Sequence, residues 1–301
     1  MDIDGWTYNL NKKYGQNGIF EFNMAGVRYI MISRAEFVSR FMLPNQDDRM
    51  KYLMRTNKDK TLLDLFDFSN KGVAFNCNYD YWRFNRQIFS RAMKTATKSN
   101  STVKLINNLF EEMIDYWIGL KEPDNDSTII EASTWMFKYS FDFLFGVVTG
   151  SPSFAMKSYY QKLKKIDATK EIMEFEKYSN CARNFQSENI FLFMPRILRH
   201  VPILRGRIQS LMNDCDFMKE KSMERIKERR KQIEKIVNNS NFDPKQLGND
   251  LLTSMIITNT PYEIYSQDNV DPLLSKPMTD DEILGILFES FIPSDTVSNG
   301  D

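Results

Sequence analysis

Helical periodicity governs most of this sequence. From about Tyr79 onward apolar residues recur at three- and four-residue spacing, whereas period-two alternation is confined to residues 18–32. A chain divided in this way must bury helical stripes against one another and set a small β element to one side. The fold class that follows is mostly α with a small β-sheet near the N-terminus.

The β element reads as a hairpin. Ile19, Phe20 and Phe22 lead to Ala25-Gly26, and Val27, Tyr29, Ile30 and Ile32 follow. Ser33 and Glu36 form an S-x-x-E pattern that predicts a capped short helix, with Pro44 just past its end. Further helices are predicted over 81–93 and over 103–118, the second on an apolar stripe. A polar break at 123–127 precedes 129–148, which is so rich in aromatics that it should be buried on more than one side. Gly150-Ser151-Pro152 ends it.

A long charged helix should run from Pro202 to about Lys235, its alternating signs forming local ion pairs on a solvated face. Pro244 opens a shorter helix containing Leu251, Leu252, Met255 and Ile256. After a polar loop over 259–277, T-D-D-E from Thr279 is a second capping box. The helix it starts carries Ile283, Leu284, Ile286, Leu287 and Phe291. No internal repeat is visible.

Composition removes several function classes. Lysine plus arginine and aspartate plus glutamate number 40 each, so net charge gives no argument for nucleic acid. His200 is the sole histidine, which excludes sites built on two or more imidazoles. Cys77, Cys181 and Cys215 are widely spaced, a pattern of buried free thiols rather than of a disulfide framework or a zinc site. No apolar run reaches the roughly 18 residues of a membrane span.

Two constellations can carry chemistry. Trp82 and Arg86 stand four apart, one turn from each other on a helix face. An indole N–H beside a guanidinium suits a carboxylate, although packing or a cation–π contact accounts for the same spacing. Farther on, Asp295 and Thr296 follow Pro293 inside an apolar stretch. They fit either a kink that holds water and passes protons, or a helix end with polar caps.

Together these segments resemble the cytochrome P-450 family of heme-thiolate monooxygenases. WRFNR at 82–86 resembles the family's W-x-x-x-R helix, and TDDEILGILFESFIPSDTVSN resembles the start of its heme-crossing helix. NDLLTSMI and FKYSFDFLFGVVTG resemble two further helices of that fold. The resemblance covers essentially the whole chain, read as one domain over 1–301 and as the N-terminal portion of such an enzyme. It implies heme as cofactor, with Trp82 and Arg86 binding a propionate and Asp295 and Thr296 organising proton delivery to bound O2. It also implies a small lipophilic substrate, an NADPH-dependent reductase as electron donor and, for a full-length eukaryotic member, the endoplasmic reticulum membrane. No anchor is present in this chain, which leaves a cytoplasmic location open.

The sequence departs from the family in three respects. Ile292 and Pro293 stand where small residues are usual, and Val297 replaces a hydroxyl residue. No arginine has a glutamate three positions before it, and no cysteine lies in a heme-loop context, so none is assigned as the iron ligand. The chain by itself is therefore expected to be a fragment without oxygenase turnover. The competing expectation is a non-catalytic truncated helical protein that binds an apolar ligand or a partner.

Overall fold

The computed structural model describes residues 3–24, 27–42, 65–67, 71–76, 78–97, 100–121, 129–188, 199–239, 242–243, 246–263 and 276–291. In chain order they form α1 (Ile3–Tyr14), β1 (Ile19–Met24), β2 (Val27–Ile32), α2 (Ala35–Met42) and α3 (Tyr79–Thr97). Then come α4 (Asn100–Leu120), α5 (Ala132–Thr149), α6 (Ala155–Lys164), α7 (Lys170–Ser187), α8 (Pro202–Val237), α9 (Leu251–Ile257) and α10 (Asp280–Phe291). The expected class holds: helices dominate, and the sheet among the described residues is one antiparallel pair.

Alternation sets the hairpin register, with Ile19 opposite Ile32 and Phe22 opposite Tyr29. The Phe22 and Tyr29 rings stack at 5.2 Å, and Trp6 of α1 meets Phe22 edge-on. Helix α1 was not expected, because its stretch is polar apart from Ile3, Trp6, Leu10 and two tyrosines. Helix α2 starts where predicted but without the predicted box. It begins at Ala35, while Ser33 gives its amide to the Gly18 carbonyl.

Helix α5 is the centre of the core. Trp135, Phe137, Phe141, Phe145 and Val148 are all at most 2% exposed, and Lys138, Asp142 and Thr149 are buried as well. Burial around the whole circumference requires neighbours on every side, and α3, α4, α6, α9 and α10 supply them. Phe291 of α10 closes the cluster, 5.2 Å from the Phe145 ring and 5.6 Å from Tyr178 of α7. Buried polar groups here find partners. Asp142 accepts the amides of Ala155 (2.7 Å) and Met156 (2.9 Å), and the hydroxyl of Ser153, so it fixes the first turn of α6.

The charged helix α8 runs for 36 residues. A buried stripe of Ile208, Leu211, Cys215, Met218, Ser222, Ile226 and Ile233 threads through its charges and packs on α7 and α10. The expected solvated face is therefore only half of the helix. Some ion pairs are local, as in Lys221–Glu224 at 2.9 Å. Others bridge to neighbours: Lys221 to Glu174 of α7 at 3.5 Å, and Arg230 to Asp280 of α10 at 2.7 Å.

Helices α6 and α7 had no counterpart among the expected elements, although Thr169 caps α7 by accepting from the Ile172 amide. Helix α9 begins at Leu251 with Asp250 as its cap, later than a start at Pro244, which lies outside the described residues. The polar break at 123–127 lies outside them too. The capping box at Thr279 is present in both directions: the Thr279 amide donates to Glu282 at 2.9 Å, and the Glu282 amide to the Thr279 hydroxyl at 3.3 Å. Among the described residues no helix is long and apolar enough to cross a membrane.

Lys138 is the costly member of this core. Its ammonium donates to the Ser179 hydroxyl at 2.9 Å, and burial pushes its pKa down to about 8 from 10.5. Above pH 10.5 the residue is neutral in folded and unfolded chains, and the cost is absent. As pH falls the unfolded chain binds the proton first, so stability drops and the full penalty stands below pH 8. Lys138→Met should therefore stabilise the protein by about 2 kcal/mol at pH 7, with the gain vanishing toward pH 10.5. Urea unfolding across that pH range checks both the sign and the disappearance.

Candidate functional site

Helix α3 is two-sided for a simple reason. Phe84, Ile88 and Ala92, spaced by four, are 2–3% exposed and face the core. Trp82, Arg86, Phe89 and Met93, three or four apart, lie on another side, where Trp82, Phe89 and Met93 are half-buried and Arg86 is exposed. This second face combines apolar surface with one cation. Trp82 meets the Tyr79 ring at 5.6 Å. Arg86 forms no ion pair among the described residues, and a guanidinium's five-donor fork suits a carboxylate.

The N-terminal half of α3 is tied to α10 through residues 71–76. Glu289 of α10 is 9% exposed, and its carboxylate accepts the backbone amides of Val73, Ala74 (2.7 Å) and Phe75 (2.7 Å). From the other side, Asn85 of α3 donates its side-chain amide to the Gly72 carbonyl at 2.8 Å, and Asn76 donates to the same oxygen at 3.3 Å. Two glycines permit this approach. Gly72 has φ +74°, and a Cβ there would overlap the Glu289 carboxylate. A Cβ on Gly285, one turn before Glu289, would overlap the Gly72 amide. The sequence reading missed all four residues. The available signal was a lone carboxylate and a glycine at the same helical phase of a run, Ile283 to Phe291, that is otherwise apolar but for Ser290.

Of the site residues expected from sequence, Trp82 and Arg86 do lie on one face of one helix. Asp295 and Thr296 follow α10 in sequence and lie outside the described residues, as does Cys77. The other two cysteines are poor ligands for a metal. Burial first, then a hydrogen bond to Asp214, pushes the Cys181 thiol up to about 12. Burial raises Cys215 further still. Both sit in the α7–α8 interface, and thiolates form where positive charge and solvent reach the sulfur. No group of three or more His, Cys, Asp or Glu side chains arranged for a metal ion occurs among the described residues.

A cavity of about 490 Å³ lies between α4, α5 and the 248–250 segment. It is lined by Leu105, Leu109, Asp142, Gly146, Arg229 and Asp250 among others, and not by Trp82 or Arg86. Its polar groups are already engaged: Arg229 donates to the Thr149 carbonyl at 2.5 Å, and Asp250 accepts from Thr253.

A helical body is thus packed around α5, and α3 presents a face of apolar side chains with one arginine. The crystal structure of the cytochrome P450DA heme domain matches with a TM-score of 0.56 at 14% identity, covering 97% of this chain and 52% of that one. The chain thus spans about half the length of the solved chain it matches. The family profile for cytochrome P450 matches residues 4–300, and the chain belongs to that family. No curated protein matches the sequence.

The thiol environments have a direct consequence. In the native protein at pH 8, peptides containing Cys181 and Cys215 should stay unlabelled by iodoacetamide over an hour and become labelled in urea. Mass spectrometry of the digested protein reads each position separately. Rapid native labelling of either would contradict the buried, protonated state.

Proposed function

We propose that this chain forms part of a heme monooxygenase domain and that the Trp82–Arg86 face of α3 holds a heme propionate. The supporting observation is the conjunction on that face of an arginine with no ion pair among the described residues and half-buried apolar side chains. A porphyrin edge asks for both: apolar surface for the ring and a fixed cation for its carboxylate. Arg86 would hold that carboxylate through its guanidinium N–H groups, with Trp82 beside it on the same face of α3. Heme, when bound, supplies the redox chemistry by which one atom of O2 enters a small lipophilic substrate and the other leaves as water.

The remaining assignments rest on family membership. Asp295 and Thr296 are proposed to hold and pass protons, a role that suits a carboxylate beside a hydroxyl. An NADPH-dependent reductase is the proposed electron source, and the endoplasmic reticulum membrane the proposed location of the whole protein. Cys181 and Cys215 are not proposed as iron ligands, because their buried thiols resist deprotonation.

A second reading draws on a different surface. Val103, Phe110 and Ile118 lie along one side of α4 and are 57%, 52% and 65% exposed. Such a stripe suits a non-catalytic helical protein that binds an apolar ligand or partner.

Heme titration separates the two. The chain should develop a Soret band with added heme. Arg86→Ala should weaken its affinity about tenfold, the scale of one charge-assisted pair. Arg86→Lys should recover part of the loss, since a point charge replaces the fork. Equal affinity for native protein and Arg86→Ala would remove the propionate assignment and leave the second reading standing.

A further inference from the structure

The grip on residues 71–76 comes from two helices at once, and this is more than local capping. Glu289 satisfies three consecutive amides of the segment, while Asn85 holds the carbonyl of the residue just before them. Gly285 and Gly72 let the two backbones meet without a side chain between. Asn85 is itself 0% exposed and lies one turn beyond Trp82 on α3, immediately before Arg86. Any displacement of the segment is therefore transmitted to the turn of α3 that carries the Trp82–Arg86 face. At its other end α10 is anchored by Phe291 in the aromatic cluster of α5 and α7, so it is the fixed member of the pair.

We infer that Glu289, Gly285, Gly72 and Asn85 form a clamp that makes Glu289 a positioning residue for the first turns of α3. The clamp sets how far that face stands from α10. Its value for function rests on the proposed role of Trp82 and Arg86, but the mechanical coupling does not.

The hydrogen bonds also explain why a carboxylate is needed. Two oxygens offer about four acceptor sites, enough for the amides of Val73, Ala74 and Phe75. A glutamine keeps the shape but replaces one acceptor by a donor aimed at a backbone N–H. The amides facing that end lose their protein acceptor, and with Glu289 itself buried and Val73 and Phe75 half-buried, water replaces it only in part.

Hydrogen exchange read by mass spectrometry on the full chain, without heme, tests the coupling. In Glu289→Gln the amides of 73–75 should exchange at least tenfold faster. Exchange over 79–88 of α3 should also rise, while helices α7 and α8 keep their native protection. Asn85→Ala, which attacks the clamp from the opposite side, should deprotect the same 73–75 amides. A residue that merely capped its own loop would leave α3 unmoved and would be insensitive to Asn85. Unchanged exchange over 79–88 in Glu289→Gln, or unchanged 73–75 in Asn85→Ala, overturns the inference. The retained protection of α7 and α8 shows in the same measurement that each variant is folded. Arg86→Ala serves as the separate control: it should alter heme affinity and leave the exchange pattern of 73–75 as in the native protein. Failure of the propionate assignment therefore appears in the heme titration alone.

Discussion

The described structure depends on α5 being buried all the way round. Phe141 and Phe145 reach toward α7 and α10, and Trp135 packs with the α4 and α6 aromatics. An apolar helix enclosed on every side is possible only when several helices converge on it. Their packing in turn fixes where α3 and α10 stand. Phe291 is the key member on the α10 side, since it touches rings of both α5 and α7. Because α10 is held there, its Glu289 and Gly285 are delivered to a fixed position against Gly72. The core thus determines the geometry of the candidate site through one helix and the six-residue stretch 71–76.

Much of this was legible in the sequence where periodicity was strong. The aromatic run of α5, the apolar stripe of α4, the hairpin alternation and the Thr279 capping box all state their structure locally. The failures share one physical cause. Ser33 has the right neighbour for a capping box, yet its amide is taken by Gly18, a tertiary contact that no local pattern contains. Helix α6 owes its first turn to Asp142 on α5, again a partner distant in sequence. Helix α1 carries few apolar residues and is recognisable chiefly through Trp6 against Phe22. The ion pairs of α8 mislead for the same reason, since composition cannot say whether Arg230 meets its own helix or Asp280 of α10.

The candidate site divides along the same line. The Trp82–Arg86 pair needs only helical spacing and was visible at once. The clamp at Gly72 joins positions 72, 85, 285 and 289, so nothing short of the tertiary fold brings it together. Glu289 stands out afterwards as a carboxylate in an apolar run, but a lone acidic residue at a buried phase indicates only that a partner exists. It does not say which.

An exposed arginine is ordinary on a protein surface, and by itself Arg86 would signify nothing. Its surroundings give it meaning. The same fold engages Arg91 with Glu263 at 3.0 Å, Arg229 with Asp250 at 3.7 Å and Arg230 with Asp280 at 2.7 Å, and lays Arg183 and Arg225 over the faces of buried phenylalanines. Arg86 borders packed surface too, with Trp82 and Phe89 half-buried one turn to either side, and meets no carboxylate among the described residues. Half-buried apolar side chains around an unneutralised cation are unfavourable to leave facing water, because the apolar area stays hydrated while the charge gains nothing from it. A planar, largely apolar ligand with a carboxylate at its edge relieves both terms together, and a purely apolar partner relieves only the first. That difference favours the α3 face for the proposed heme contact over the apolar stripe of α4, whose neighbouring Lys104 and Lys121 are point charges and not planar forks.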